Sequence, residues 1–245
     1  MIAHLASWPR SGNSMLRLLI WQVFEKQTFP AVDERALISV LGTDTGLRLS
    51  GKDDPDFAKT HKPPSDDKPA IFIVRDGRDA IVSFYHYIHT VTHHPASMRQ
   101  VICDPAPTGT PSPGNWSDFF HAWQPLTRDD RILVKYEEML EEPDTVIDRV
   151  AIAFNLKPQR RFVNNFPALQ SRITHGVFRT GKNGGWQGRL VGTDLKLFWE
   201  VHGDVMEQLG YGRKDDGRTT GKHPRSDETG THAARGTLDG RRLPS

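Results

Sequence analysis

The stretch Trp8-Pro-Arg-Ser-Gly-Asn-Ser14 decides the fold of this chain. A short apolar run, Ile2–Ala6, precedes it, and an apolar run with helical periodicity, Met15–Phe24, follows it. This order predicts a strand over residues 2–7, a tight polar loop, and a helix over residues 14–26. Such a loop aims backbone N–H groups at one point, at the positive end of the helix dipole. The stretch therefore predicts an anion site that suits a phosphate group.

Two residues of this loop favour binding of an oxyanion. Gly12 lets the backbone approach a ligand closely, and the guanidinium of Arg10 adds a charge-assisted contact. The loop lacks the Gly-x-x-x-x-Gly-Lys-Ser/Thr spacing of a Walker P-loop. Taken alone, it is equally compatible with a plain connection between a strand and a helix.

Three later segments add cationic groups and a histidine to this first loop. The sequence KTHKP occupies residues 59–63, and a buried-strand run, AIFIV at 70–74, leads directly into RDGRD at 75–79. The basic, glycine-rich sequence FRTGKNGGW follows at residues 178–186. In this order the chain supplies a phosphate site, a candidate base and two further cationic anion sites.

This set of segments resembles the sulfotransferases that use 3'-phosphoadenosine-5'-phosphosulfate (PAPS) as the sulfuryl donor. Residues 8–15 resemble the loop that binds the 5'-phosphosulfate in that family. Residues 73–87, IVRDGRDAIVSFYHY, are similar to its 3'-phosphate segment, and the spacing from Arg75 to Ser83 is preserved.

Three shorter motifs extend the resemblance along the chain. The triplet at 59–61 resembles the Lys-Thr-His triplet that carries the base in the cytosolic branch of the family. Residues 134–139 resemble the family's Tyr-Glu-Asp strand end, and residues 179–186 resemble its Arg-Lys-Gly loop. Each motif is weak alone, but five in the family's order are a strong signal, which covers about residues 2–211.

The resemblance implies an enzyme that moves a sulfuryl group from PAPS to a hydroxyl or amine of a small-molecule or glycan acceptor. The transfer is in line, and His61 acts as the base because neutral imidazole titrates near the working pH. Arg10 stabilises the bridging oxygen of the leaving phosphate, and Lys59 the sulfuryl oxygens. No metal is expected.

The resemblance also implies which residues hold the donor, with Tyr136 on the adenine. Two positions depart from the family pattern: Arg10 replaces a lysine, and Met15 replaces a tryptophan that packs on the adenine. Phe166 is therefore the candidate for adenine stacking. The full predicted set is Arg10, Ser11, Gly12, Asn13, Ser14, Arg75, Ser83, Tyr136, Phe166, Arg179, Thr180 and Gly181.

Strand and helix patterns alternate along the chain, which favours an α/β, P-loop-type three-layer fold with a central parallel sheet flanked by helices. We predict one sulfotransferase domain over residues 1–212 and a disordered polar tail over 213–245, because the tail is too polar to form a core. The predicted later strands are 58–61, 70–74 and 132–135, and the predicted later helices are 78–91, 138–154 and 193–209. Residues 95–114, rich in proline, are predicted to be an irregular loop.

Composition limits the partners and the compartment. The net charge of +2 among 245 residues gives no strong field for nucleic acid. A single cysteine, Cys103, permits no intrachain disulfide and fits a reducing compartment. No apolar run is long enough to span a membrane, and the N-terminus shows no signal-peptide pattern. These features predict a cytoplasmic protein without a membrane partner and leave a homodimer open.

Two other classes of function share some of these features. A P-loop kinase or NTPase would also begin with a strand, an anion loop and a helix, but the chain has no Gly-Lys-Ser/Thr ending to the loop. A non-catalytic nucleotide-binding relic is the second alternative, against which Lys59 and His61 argue. In either case Arg75 and Arg78 could simply pair with the aspartates beside them on a solvated turn.

Overall fold

The computed structural model describes residues 3–26, 28–29, 57–105, 114–164 and 183–213. Within these ranges five parallel strands form one sheet in the order β2-β3-β1-β4-β5. The strands are β1 (Ala3–Ser7), β2 (Thr28–Phe29), β3 (Phe57–Thr60), β4 (Ala70–Val74) and β5 (Arg131–Lys135). The helices in the same ranges are α1 (Asn13–Phe24), α2 (Gly77–Thr90), α3 (Met98–Cys103), α4 (Trp116–Trp123), α5 (Tyr136–Glu141), α6 (Pro143–Phe154) and α7 (Gly192–Gln208).

The sheet has a buried apolar layer on each of its faces. On one face, Leu5 of β1 and Ile71 of β4 pack in a cluster with α1 and α6. On the other face, Phe72 of β4 packs in a cluster with α2, α4 and α7. Helices on both faces leave every residue of β4 buried, which explains its uninterrupted apolar run. The predicted three-layer fold with a central parallel sheet is confirmed.

Strand order brings the predicted functional segments to one edge of the sheet. Strand β1 lies between β3 and β4, with Ala6 in register with Thr60 and with Phe72. The loop after β1, the histidine after β3 and the turn after β4 therefore follow the carboxyl ends of three adjacent strands. Open parallel sheets bind ligands at this edge.

The structure corrects two of the predicted elements and adds a helix that was not predicted. The single helix predicted over 138–154 is wrong: α5 ends at Glu141, and Pro143 begins α6, since proline suits the first position of a helix and not its interior. The predicted irregular loop contains a short helix, α3, with a capping box at Ser97. Helix α4, capped by the Asn115 side chain, was not predicted.

A buried histidine joins the three helices α3, α4 and α7. His202 of α7 has no exposed surface, its Nε2–H donates to the carbonyl of Ile102 at 3.0 Å, and the Ser117 hydroxyl donates to its Nδ1 at 2.8 Å. Both ring nitrogens are thus used while the ring is neutral. Burial lowers the pKa of His202 to about 4.

This histidine should make the fold less stable in mild acid. Between pH 6.5 and about 4 the unfolded chain protonates His202 and the folded chain does not, so the free energy of unfolding falls as the pH falls. Between pH 7 and pH 5 the loss from this one group should be about 2 kcal/mol. Urea unfolding of His202→Gln should show a pH dependence smaller by that amount. The exposed His121→Gln is the matched control, and an unchanged pH dependence in His202→Gln would contradict the assignment.

Candidate active site

The loop between β1 and α1 is held in a shape that only glycine allows at its last position. Gly12 has a φ of 102° and precedes the first helical residue, Asn13. A Cβ atom at position 12 would lie 2.4 Å from Cδ2 of Tyr136. The loop therefore lies directly on the Tyr136 ring, and the N-terminus of α1, with its N–H donors, follows at once.

Arg10 links this loop to helix α2. Its Nε–H donates to the Ser83 hydroxyl at 3.2 Å, and its Cζ lies 5.2 Å from the centroid of the Tyr87 ring. The structure thus brings together two residues that the sequence assigned to different ends of one donor. Their hydrogen bond joins the loop after β1 to the helix after β4.

Arg75, the first residue after β4, contacts Tyr136 and Asp79. Its Cζ lies 4.7 Å from the centroid of the Tyr136 ring, and its Nη2 lies 3.5 Å from Oδ2 of Asp79. Arg75 is only 6% exposed, yet it follows the carboxyl end of β4 directly. Tyr136 therefore contacts both the first anion loop, at Gly12, and the second, at Arg75.

The neighbouring arginine has a different, structural role. Arg78 is 1% exposed, donates to both carboxylate oxygens of Asp76, and lies 4.3 Å from the ring centroid of Trp186. The Asp76 carboxylate also caps helix α2 by accepting from the Arg78 backbone N–H. Arg78 therefore holds the turn together from inside the protein.

Asp79 connects this turn to the last glycine-rich loop. Its two carboxylate oxygens accept backbone N–H bonds from Gly184 at 2.8 Å and from Trp186 at 2.9 Å. Burial raises the pKa of Asp79, and the charge of Arg75 opposes that shift. The predicted donor residues Arg179, Thr180 and Gly181 lie outside the described residues, as does Phe166.

His61 lies directly after β3 and contacts the end of β1. Its Nδ1–H donates to the Ser7 carbonyl at 2.7 Å. Because a carbonyl can only accept, the proton of the neutral ring is on Nδ1 and the lone pair is on Nε2. Burial and then the charge of Lys59 lower the pKa of His61 to about 4, with smaller contributions from Arg17 and Arg10. Burial, Arg17 and Arg10 also lower the pKa of Lys59.

The side chains of the loop differ in where they point. Asn13 was predicted to offer its backbone N–H to the phosphate, and its side chain lies elsewhere: Nδ2 donates to the Leu5 carbonyl at 2.9 Å and to the Ser7 hydroxyl at 3.1 Å. Only its backbone N–H remains for an anion. The Ser11 hydroxyl is buried and has no hydrogen-bond partner among the described residues, whereas Ser14 is partly exposed.

Two contributors to this site were missed in the sequence. Arg17 is buried on α1, donates from Nε to Thr28 Oγ1 at 3.0 Å, and adds positive charge near His61. A lone arginine inside the apolar run of α1 was the available signal. Glu137 accepts from the Asp76 backbone N–H at 3.1 Å and from the Tyr211 hydroxyl at 2.8 Å, a pairing that no local pattern reveals.

The described part of the chain contains neither a metal-ligand cluster nor a helix that could cross a membrane. There, no three histidine, cysteine or acidic side chains are grouped as metal ligands would be. In those ranges no helix combines the length and the apolar character that crossing a membrane requires.

Curated proteins that are similar to this chain are named as sulfotransferases. A family model described as "Sulfotransferase domain" matches residues 3–166. Sulfotransferase 1E1 of Mus musculus is 22% identical in an alignment 199 positions long, which covers 73% of this chain and 65% of that protein. Sulfotransferase 1 family member D1 of Rattus norvegicus is 26% identical in an alignment 244 positions long, which covers 83% of this chain and 83% of that protein.

Solved structures share the fold at low identity. Mouse sulfotransferase SULT7A1, complexed with PAP, matches 87% of this chain and 86% of its own with a TM-score of 0.62 and 18% identity. Retinol dehydratase, in complex with androsterone and PAP, matches 84% of this chain and 80% of its own with a TM-score of 0.54 and 15% identity. The domain match extends over more than half of the chain, so the chain belongs to the PAPS-dependent sulfotransferases, a family of sulfuryl-transferring enzymes.

Proposed function

We propose that this chain transfers a sulfuryl group from PAPS to a hydroxyl or amine of a small-molecule or glycan acceptor. One observation carries the proposal: a histidine with its Nδ1–H committed to the Ser7 carbonyl follows the strand beside the anion loop. A base, an open helix N-terminus and Arg10 thus share one edge of the sheet. In-line transfer requires a base at one end and positive charge at the other.

The donor binds in this proposal along the line from the α1 N-terminus to the turn after β4. The 5'-phosphosulfate lies against the backbone N–H groups of residues 12–14, the Ser11 hydroxyl and Arg10. Arg75 and Ser83 hold the 3'-phosphate, and Tyr136 lies beside the adenine. The Arg10–Ser83 bond and the Arg75–Tyr136 contact support this placement. They hold the residues proposed for the 5'-phosphate next to the residues proposed for the 3'-phosphate.

The cations around His61 affect its pKa, and therefore its strength as a base. PAPS supplies the sulfuryl group, and its phosphates bring negative charge toward Arg10 and Lys59. Burial is the largest cause of the low pKa of His61, and the charge of Lys59 comes next; an anion near Lys59 and Arg10 offsets the charge, so donor binding raises that pKa. Nε2 of His61 then takes the acceptor's proton, while Arg10 and Lys59 face the oxygens where negative charge develops.

The proposed domain spans residues 1–212, in line with contacts that reach its last residues. Lys135 Nζ donates to the Leu209 carbonyl at 2.7 Å, and the Tyr211 hydroxyl donates to Glu137 at 2.8 Å. The proposed polar tail, 213–245, follows these contacts. The single thiol, Cys103, supports a reducing, cytoplasmic location.

Donor binding can be tested without knowledge of the acceptor. Adenosine 3',5'-bisphosphate should raise the melting temperature of the wild-type chain more than adenosine 5'-phosphate does, because only the former engages Arg75 and Ser83. Arg75→Ala should weaken bisphosphate binding roughly 10- to 100-fold, since a charge-assisted phosphate contact is lost. The control is Arg128→Ala, which removes a partly exposed arginine that pairs with Asp130. Equal melting shifts for the two nucleotides would contradict the 3'-phosphate role.

The base is tested on the acceptor that a screen of phenols, alcohols, amines and sugars with radiolabelled donor identifies. His61→Ala should lower turnover by roughly 100-fold or more, the usual scale for a lost general base. Its affinity for adenosine 3',5'-bisphosphate should change little, since His61 faces the acceptor in this proposal. If His61→Ala kept full turnover, the histidine mechanism would fail, and a carboxylate would become the candidate base.

A further inference from the structure

Ser7, the last residue of β1, contacts the candidate base through two different oxygen atoms. The Ser7 carbonyl accepts from Nδ1–H of His61 at 2.7 Å, and the Ser7 hydroxyl oxygen lies 3.3 Å from the same nitrogen. Ser7 itself has no exposed surface. The imidazole is therefore seated on a buried oxygen pair at the end of the central strand.

The bond from His61 to the Ser7 carbonyl determines whether the Ser7 hydroxyl oxygen donates or accepts. Since the carbonyl at 2.7 Å can only accept, Nδ1 must carry the proton, and the hydroxyl oxygen then lies as a second acceptor beside the same N–H. These contacts survive when Nε2 gains a proton, because imidazolium keeps its Nδ1–H. The pair of oxygens therefore suits both protonation states of a base that works through Nε2.

Asn13 holds the hydroxyl of Ser7 from the other side. Its side chain is almost fully buried at 5% exposure, and Nδ2 donates to Ser7 Oγ at 3.1 Å and to the Leu5 carbonyl at 2.9 Å. Asn13 is also the first residue of α1 and part of the anion loop. A continuous path of hydrogen bonds thus runs from the loop, through Ser7, to the ring of His61.

We infer that Ser7 and Asn13 are positioning residues that hold the His61 imidazole with Nδ1–H inward and Nε2 ready for the acceptor's proton. This inference rests on the proposed function of His61 as the base. It also gives a physical link between the loop that holds the donor and the group that activates the acceptor. Residues that orient a reactive histidine through its second nitrogen change activity without touching the substrate.

Steady-state kinetics tests the inference with three variants: Ser7→Ala, Asn13→Ala and a serine control at position 117. Ser7→Ala and Asn13→Ala should each lower kcat by roughly 10-fold, within the range of other orienting partners, and Ser7→Ala, a change outside the anion loop, should leave donor affinity unchanged within about twofold. The control is Ser117→Ala, which removes an equally buried hydroxyl from another histidine, His202, at 2.8 Å. The control should lose stability and keep kcat. Ser7→Ala and Asn13→Ala variants that behave like Ser117→Ala would overturn the inference.

A double-mutant cycle shows whether the effect passes through His61. In the His61→Ala background, Ser7→Ala should cause no further loss of turnover, because the ring that it orients is gone. An equal loss in both backgrounds would overturn the inference and leave the proposed base intact. Full turnover of His61→Ala would instead remove the base, and the inference with it.

A spectroscopic measurement reports on the ring directly and needs no acceptor. Imidazole N–H protons that are buried and bonded to carbonyls exchange slowly with water, so His61 and His202 should each give a proton NMR signal. Each signal is assigned by its loss in the alanine variant of its histidine. Ser7→Ala and Asn13→Ala should broaden only the His61 signal. An unchanged His61 signal in both variants would contradict the positioning role.

Discussion

The site depends on the close contact between Gly12 and the ring of Tyr136. No other residue fits at position 12, because a Cβ atom there would lie 2.4 Å from the ring and the backbone is at a φ of 102°. The same ring lies 4.7 Å from the guanidinium carbon of Arg75. One aromatic side chain at the start of α5 therefore sets the distance between the loop after β1 and the turn after β4. Both segments take their positions from it.

Buried charges stabilise the turn after β4, and each one has a specific partner. Asp76 binds Arg78 through both oxygens, and Asp79 binds two backbone N–H groups of the last glycine-rich loop as well as Arg75. Removing one member of such a group leaves an uncompensated buried charge, which typically costs about 3–5 kcal/mol. The turn is consequently rigid at the point where a ligand phosphate would need fixed positive charge. Mutual pairing also explains how two arginines and two aspartates can be buried together in this turn.

Local patterns in the sequence predicted the sheet and its first loop well. The apolar run of β4 and the strand-loop-helix order at residues 2–24 depend on neighbouring residues alone, and the structure confirms both. The break at Glu142 was missed because a helical pattern continues on both sides of Pro143. Helix α4 was missed since its aromatic residues bury against partners far along the chain.

The site was predicted at the level of segments, and less well at the level of side chains. The histidine after β3 and the arginine after β4 follow strand ends, so parallel topology alone brings them to one edge. Asn13 turns inward because its amide meets the Leu5 carbonyl and the Ser7 hydroxyl, which no spacing rule foresees. The roles of Arg17 and Glu137 likewise depend on partners in other elements: Thr28 of β2 for Arg17, and Asp76, which caps α2, for Glu137.

The bond from Arg78 to the carbonyl of Gly212 has a consequence for biosynthesis. The two residues are 134 positions apart, and Tyr211 contacts Glu137 in the same region. At the usual speed of translation the ribosome needs on the order of ten seconds to make that interval. During this time Arg78 of the nascent chain lacks its contact with Gly212, which has not yet been synthesised. The turn after β4 therefore gains its last contacts only after residues 209–213 have left the ribosome, long after β4 itself has been made.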